Sequence, residues 1–417
     1  MARSLINGAL MKLQIFDDPH RAAFFPLTHL RSTGDLRCGI LKLRQRLESL
    51  FAEDAGYIIS PELVELYQER HPDWLINQAV IEDCLYVNSR LKPESEAYQL
   101  VSDLKPETAL VNRDLVLAFR SSSGIAFCPD VTSLTALSIE IIQTDLPYYR
   151  HPSDLIQDNS RLIRYDFEHY FQDKDNFFET EPGVTVLDPY NIWIGDNVKL
   201  KPGVVLDASD GPIVIDDEAT IMANSVIIGP CYIGKGSMIK IGAKIYEGCS
   251  IGPVCKIGGE VEDSIIQAYS NKQHDGFLGH AYLGEWINLG ADTNNSDLKN
   301  TYKNVSYYSY DHGKKIDSGT LFLGCIIGDH VKLGINCTVN TGAVIGTGCN
   351  LWGRDLISDF IPDFSWGEAS ALSAYRLEAF LETAKTVKNR RKLSLSSSES
   401  QLLSYISQRR LQEKPKS

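Results

Sequence analysis

The chain has 417 residues, 43% of them apolar, and a formal net charge of −13. That length allows two or three domains, and that apolar share excludes a globally disordered chain. The acidic balance argues against a broad basic face for nucleic acid, and no apolar run reaches the roughly 20 residues of a membrane span.

In chain order, Met1-Ala2-Arg3-Ser4 opens with one charge and no long apolar region, which argues against a signal peptide. Met11 is an alternative start, because ordered patterning begins at Leu13. Leu13-Gln14-Ile15-Phe16 reads as a strand ended by Asp17-Asp18-Pro19. Ile40 to Phe51 has helical spacing, with Arg44, Arg46 and Glu48 directed outward. Leu85-Tyr86-Val87 and Leu115 to Phe119 read as further short strands. Such alternation predicts an α/β domain with a partly parallel sheet over residues 13–180. A polar joint containing Pro182 and Gly183 follows.

From Val184 to about 360 an aliphatic residue recurs every six positions. One run is Ile233, Ile239, Ile245, Ile251, Ile257, and another is Ile327, Leu333, Val339, Ile345, Leu351. A six-residue period fits neither a helix nor a simple strand alternation. It predicts a hexapeptide-repeat β-helix, in which three short strands make one triangular coil and each coil is buried by its neighbours. Ala208 to Pro212 reads as a corner insertion. The period slips between Ile257 and Leu283, and a polar, aromatic excursion follows Leu289 through Asp317. Beyond 361 a C-terminal helical region is predicted to 417, with a helix from Ala369 to Arg391, a serine-rich linker from Ser394 to Ser400, and a short helix from Leu402 to Leu411. The nine cysteines form no Cys-x-x-Cys pair, and several take small-residue positions of the hexads; reduced thiols in a cytoplasmic protein are expected.

The densest polar run, Ser270 to His280, coincides with the period slip. A histidine on such a loop has the pKa to take a proton from an amine or hydroxyl near neutral pH, and Asp275 is adjacent to His274; an exposed loop histidine with no such role fits the same position.

The segment Lys272-Gln273-His274 with Phe277-Leu278-Gly279, then Leu283-Gly284, Ile287-Asn288-Leu289-Gly290-Ala291 and Thr293, resembles the acetyltransferase half of the bifunctional N-acetylglucosamine-1-phosphate uridyltransferase/glucosamine-1-phosphate acetyltransferase family. A divergent, sugar-nucleotidyltransferase-like branch of that family resembles nearly all of residues 13–390, including Phe16-Asp17-Asp18, Pro26-Leu27-Thr28 and Asp35 to Leu41. The resemblance implies a left-handed β-helix behind a degenerate nucleotidyltransferase-like α/β domain. It implies His274 as general base, with Lys272, Phe277, Asn288, Asn294 and Asn295 near the substrate. It implies acetyl-CoA along a late groove that includes Ala291, Ile335 and Gly353, with Lys332 and Arg354 available to phosphates. In the N-terminal half, Arg21, Arg31, Arg37 and Asn88 stand where phosphates would be met, with Mg2+ needed only if that domain is active. The glycine-rich phosphate loop of active nucleotidyltransferases is absent: the strand runs into Phe16-Asp17-Asp18-Pro19-His20-Arg21.

The expected function is CoA-dependent acyl transfer to an amino sugar phosphate or nucleotide-linked amino sugar, in a homotrimer. Two alternatives are sugar-1-phosphate nucleotidyl transfer by the N-terminal domain, with the β-helix as trimerising scaffold, and a non-catalytic ligand-binding trimer. Zinc chemistry through His274, His280, His312 and His330 lacks the spacing of a closed three-ligand set, so no metal site is expected.

Overall fold

The computed structural model describes residues 12–51, 55–174, 176 and 178–412. The expectations about Met1 to Met11 lie outside these residues, as does the end of the C-terminal region beyond 412. Two compact units are present. One holds residues 30–36 and 42–150 with the chain up to Ala22; the other holds 23–29, 37–41 and everything from His151.

The first unit is built on a six-stranded sheet in the order β2-β1-β3-β5-β4-β6. Its strands are β1 (Lys12–Phe16), β2 (Ala55–Ile58), β3 (Cys84–Asn88), β4 (Thr108–Asn112), β5 (Leu115–Ser121) and β6 (Glu140–Gln143). β1 is parallel to β2 and β3, and β4 to β6, whereas β5 is antiparallel to both its neighbours. β3 is buried at all five positions, which is why it reads as a continuous apolar run rather than an alternation. Tyr86 and Phe119 stack across the β3–β5 ladder with ring centroids 4.3 Å apart. Among the described residues this unit carries the helices α1 (Leu43–Phe51), α2 (Val64–Arg70), α3 (Ser95–Ser102) and α4 (Val131–Ala136). The helix predicted from Ile40 begins instead at Leu43, because Ile40 packs in the other unit against Val214 and Tyr232. Arg44 and Glu48 pair on α1 at 2.7 Å, but Arg46, expected outward, is buried.

The second unit is a parallel β-helix of the left-handed hexapeptide type, with three faces. The first face runs in six strands from Thr185–Leu187 to Phe277–Gly279 and is continued by three more, ending at Leu356–Ile357. The second has nine strands, from Ile192–Ile194 to Phe360–Ile361. The third has ten, from Lys199–Leu200 to Ser365–Glu368 with an antiparallel strand, Ala371–Ala374, at its end. Every hexad aliphatic named above is buried in one cluster along the axis.

The second face carries outward apolar residues, and the chain covers them. Helix α5 (Pro152–Tyr170) lays Ile163 and Phe167 on Val214 and Tyr232, and Asn159 donates to the Gly248 carbonyl. α5, expected within the N-terminal domain, therefore packs with the β-helix. The excursion after Asn295 folds as a hairpin of Ser306–Ser309 with Lys314–Asp317, and Tyr308 stacks on Phe360. The helix predicted from Ala369 starts at Leu377, because residues 371–374 turn back to pair with the last strand of the third face. Helix α6 (Leu377–Asn389) buries Phe380 against Phe364, and α7 (Ser397–Gln412) begins inside the predicted serine linker.

Candidate active site

The site region is one corner of the β-helix, where the third face turns into the first. Successive coils pass this corner at residues 240–243, 258–259, 273–276, 290–293, 334–337 and 352–355. His274, Ala291, Ile335 and Gly353 therefore fall on the same edge in four consecutive coils. Strands in neighbouring coils are about 4.8 Å apart, so His274 and Gly353 are separated by about 14 Å along the axis. Backbone bonds tie the edge together: Asp292 donates to the Asp275 carbonyl at 3.1 Å and Asn336 to the Ala291 carbonyl at 2.8 Å. The edge is open to solvent, with Ile335 67% and Trp352 38% exposed.

At the slip, polar residues enter the inner columns. Register pairs Ile257 with Lys272 on the third face, so Lys272 fills the inward position that aliphatics hold elsewhere. Its ammonium is buried and donates to the carbonyls of Gly258 and His274, both at 3.1 Å. Burial pulls its pKa down to about 8, against the pull of Asp275 and Asp292. Lys272 thus grips the His274 turn from inside the prism and is not available to a ligand. The His274 imidazole is exposed and makes no hydrogen bond to a described residue, so Asp275 does not orient it.

One coil later Asn295 takes the inward position of the first face, beside Val339. Its amide accepts from the Gly279 N–H and donates to the Gly279 carbonyl, each at 2.8 Å. Asn294 accepts from the Phe277 N–H at 2.7 Å. Two side chains therefore do the work of a backbone ladder between these strands. The amide of Asn295, expected at the substrate, is consumed in the fold. Phe277 is half-buried on the outer side of the first face. Asn288 lies on the outer side of the third face, level with Asn271 below and Lys332 above, and its amide has no hydrogen-bond partner among the described residues. Lys332 is not free for a phosphate: its ammonium is buried, donates to the carbonyls of Trp286 and His330, and is drawn down to about 7 by burial.

The next corner holds a group that sequence reasoning treated only as a zinc candidate. The His280 ring sits between Asp297, 2.9 Å from Nδ1, and Asp263, 3.4 Å from Nε2, and stacks on Phe322. Burial disfavours its charge, but the hydrogen bond to Asp297 and the charge of Asp263 outweigh burial and raise its pKa. The four histidines do not converge. His330 is buried beside Trp286, and His312 contacts Ser309 and Asp311. Among the described residues no group of three His, Cys, Asp or Glu could hold a metal ion.

In the first unit, groups gather beyond the carboxyl ends of β1 and β3, the usual ligand crevice of an open α/β sheet. Asp17 is buried there, and burial raises its pKa to about 6 despite Arg21. Its carboxylate already accepts from Ser32, Thr33 and Ser89. Asp18 pairs with Arg90 at 2.9 Å and accepts from Asn88. Both carboxylates are filled, so neither fits Mg2+. Arg21 pairs with Glu62, and Arg31 is buried. Arg37 lies in the other unit, where its guanidinium is 5.0 Å from the Tyr232 ring and donates to the Ile40 carbonyl; it does not join Arg21.

A family model described as sugar nucleotidyl transferase matches residues 13–175. A bifunctional sugar-1-phosphate nucleotidylyltransferase/acetyltransferase of Sulfurisphaera tokodaii is 33% identical over 181 residues, 42% of this chain and 41% of that protein. The bifunctional protein GlmU of Staphylococcus haemolyticus is 26% identical over 275 residues, 60% of this chain and 55% of that protein. The matches span about half or less of these relatives' lengths. Among solved structures, a UDP-N-acetylglucosamine acyltransferase from Campylobacter jejuni covers 54% of this chain and 82% of its own, at 15% identity and a TM-score of 0.31. The chain thus joins a segment matching the sugar nucleotidyl transferase family to a hexapeptide β-helix, and it is similar to bifunctional nucleotidyltransferase/acetyltransferases of the GlmU kind.

Proposed function

We propose that this chain is a sugar-nucleotide-pathway transferase that moves an acyl group from acyl-CoA to the amine of a phosphorylated or nucleotide-linked amino sugar. The observation that carries this reading is the shared edge of His274, Ala291, Ile335 and Gly353. One open edge about 14 Å long offers a pantetheine-like arm a path that ends at an exposed imidazole. Gly353, with φ +102°, takes a backbone conformation that glycine adopts without strain and places no side chain on that path. His274 removes the amine proton as the nitrogen attacks the thioester carbonyl; a C–N bond forms, the C–S bond breaks, and His274 returns the proton to the thiolate. Lys272 holds the turn, and Asn288 is free to meet the acceptor. The name of the Sulfurisphaera tokodaii relative, which pairs nucleotidyl transfer with acetyl transfer, supports a transferase of this class. A homotrimer acting in the cytoplasm completes the proposal.

The test is thiol release from acetyl-CoA with a panel of amino sugar phosphates and UDP-linked amino sugars. Turnover should be lost in His274→Ala with unchanged circular dichroism. Absence of turnover and of CoA binding in the wild type would sink the reading. A second reading, nucleotidyl transfer by the N-terminal unit, is favoured by the match over residues 13–175 and opposed by the filled carboxylates of Asp17 and Asp18. Pyrophosphate release from UTP with a sugar-1-phosphate, lost in Arg21→Ala but retained in His274→Ala, would establish it instead.

A further inference from the structure

Four cations, three of them half-buried and Arg390 exposed, lie together on the third face and its edge, next to the His274 turn. Lys256 sits on the outer side of the third face, directly beneath Asn271 in register. Arg391, just past α6, donates to the Asn271 side-chain carbonyl at 3.1 Å. Lys240 lies on the same edge as His274, two coils earlier, about 10 Å away along the axis. Arg390 caps α6 beside them. None of the four forms an ion pair with a described residue, and the charges that act on Lys256 are those of Arg391, Lys240 and Arg390. Burial and these cations together lower its pKa. The C-terminal dipole of α6 accounts for two arginines at that end, but not for two lysines of the β-helix facing them.

Between Lys240 and His274 the edge carries no side chain. Gly258 and Gly259 occupy it, and Gly259 has φ +74°. A Cβ on Gly258 would come 3.0 Å from the Lys240 Cβ, and one on Gly259 2.7 Å from the Lys272 ammonium. The Gln273, Gly276 and His274 carbonyls also come within 2.9 Å of these positions, so close stacking of the coils requires both glycines, and no side chain projects from the step between the cations and the imidazole.

We propose that Lys240, Lys256, Asn271, Arg390 and Arg391 form a binding site for the diphosphate of a nucleotide-linked acceptor, whose sugar reaches His274 over the Gly258–Gly259 step. The inference rests on the acyl-transfer reading and adds the acceptor's class. It also gives α6 a part in the site. The direction separates it from the cosubstrate: the positions assigned to CoA rise from His274 toward Gly353, and the cations lie on the opposite side. Asn271 spends its carbonyl on Arg391 and keeps its NH2 for a phosphate oxygen.

The probes are UDP, inorganic pyrophosphate and CoA, titrated calorimetrically against the full-length protein. Wild type should bind UDP and pyrophosphate in competition. Lys256→Gln and Arg390→Gln should each weaken both about tenfold, the loss of one charge-assisted hydrogen bond. Lys314→Ala, a cation elsewhere on the β-helix, should change neither. Without ligand, Lys256→Gln should melt at a higher temperature than wild type, because it relieves like-charge repulsion, and UDP should no longer raise its melting point. Arg390 makes no side-chain bond, so its variant reports on binding even if Arg391→Ala undocks α6. Absence of UDP binding, or binding unchanged in both variants, would overturn the site. Pyrophosphate that displaces CoA would assign the cations to the cosubstrate and overturn the acceptor assignment. UDP binding without acyl turnover would leave the site standing and fail the acyl-transfer reading; turnover with variant-insensitive UDP binding would do the reverse.

Discussion

A lysine ammonium inside a column of isoleucines and leucines is costly unless its N–H groups are used. Lys272 uses them on two carbonyls, one belonging to the candidate base. Lys272→Met keeps the length and removes the charge. Stability should stay within about 1 kcal/mol or rise, as when apolar side chains replace buried ions. The 273–276 turn should loosen: faster amide exchange there, and an acyl-transfer kcat that falls more than KM changes. The lysine also leaves a pH signature. Its folded pKa, near 8, lies below the ordinary 10.5, so deprotonation favours the fold. Wild type should gain stability over the variant as pH rises from about 8 toward 10.5. Equal exchange rates at the turn in both proteins would remove Lys272 from any positioning role. Asn295 gives the opposite outcome. Asn295→Leu restores an aliphatic column but orphans the Gly279 N–H and carbonyl, which should cost about 2 kcal/mol in denaturant unfolding. No measurable cost would mean that the amide bridge is dispensable.

Among the elements, the excursion from Ser296 to Leu323 is anchored near both ends on one ring. Its start, Asp297, bonds the His280 ring, and its end, Phe322, stacks on that ring. Glu262 and Asp263 also face the imidazole, with Glu247 behind them. A raised histidine pKa stabilises the fold below the unfolded value near 6.5, and the contribution fades as pH climbs through the folded value. Glu262 and Asp263 are raised by burial, so their linkage has the same sign. Limited proteolysis should therefore cut the excursion faster as pH rises above about 6.5 in wild type, and at a pH-independent rate in His280→Gln. Equal pH dependence in both would discard the latch. The excursion was legible in the sequence as a break in period, and its latch was not, because Asp263, His280 and Asp297 meet only once the coils stack. The same limit explains Lys272 and Asn295. Their polarity marked them for a ligand, whereas counting register across the slip places both inward. The hexads themselves were plain, since an inward aliphatic at every third of a coil is a local rule. The start of α6 was hidden because residues 371–374 take their strand from a partner several residues upstream.

At the scale of the whole β-helix, the faces differ in what covers them. The outward residues of the second face, from Val214 to Val344, are buried, with α5, the excursion and residues 37–41 packed on them. The third face is partly screened by α6 and Arg391. The first face is mixed: in one outward column Val205, Val226 and Phe277 are half-buried and Leu356 is 50% exposed, with Lys244 and Glu260 between Val226 and Phe277. If the copies of the proposed homotrimer meet through the first face, that column is covered and the His274 edge, which borders this face, lies against a neighbour. Leu356→Arg and Val226→Glu place charges in the last and the third strand of this column without touching the axis. Sedimentation equilibrium should give three copies for wild type and a single chain for the double variant. Acyl turnover should fall with the mass while circular dichroism stays unchanged, because the edge would then lack its second wall. A double variant that remains a trimer would move the contact off the first face; one that becomes a monomer with full turnover would show the site complete within one chain.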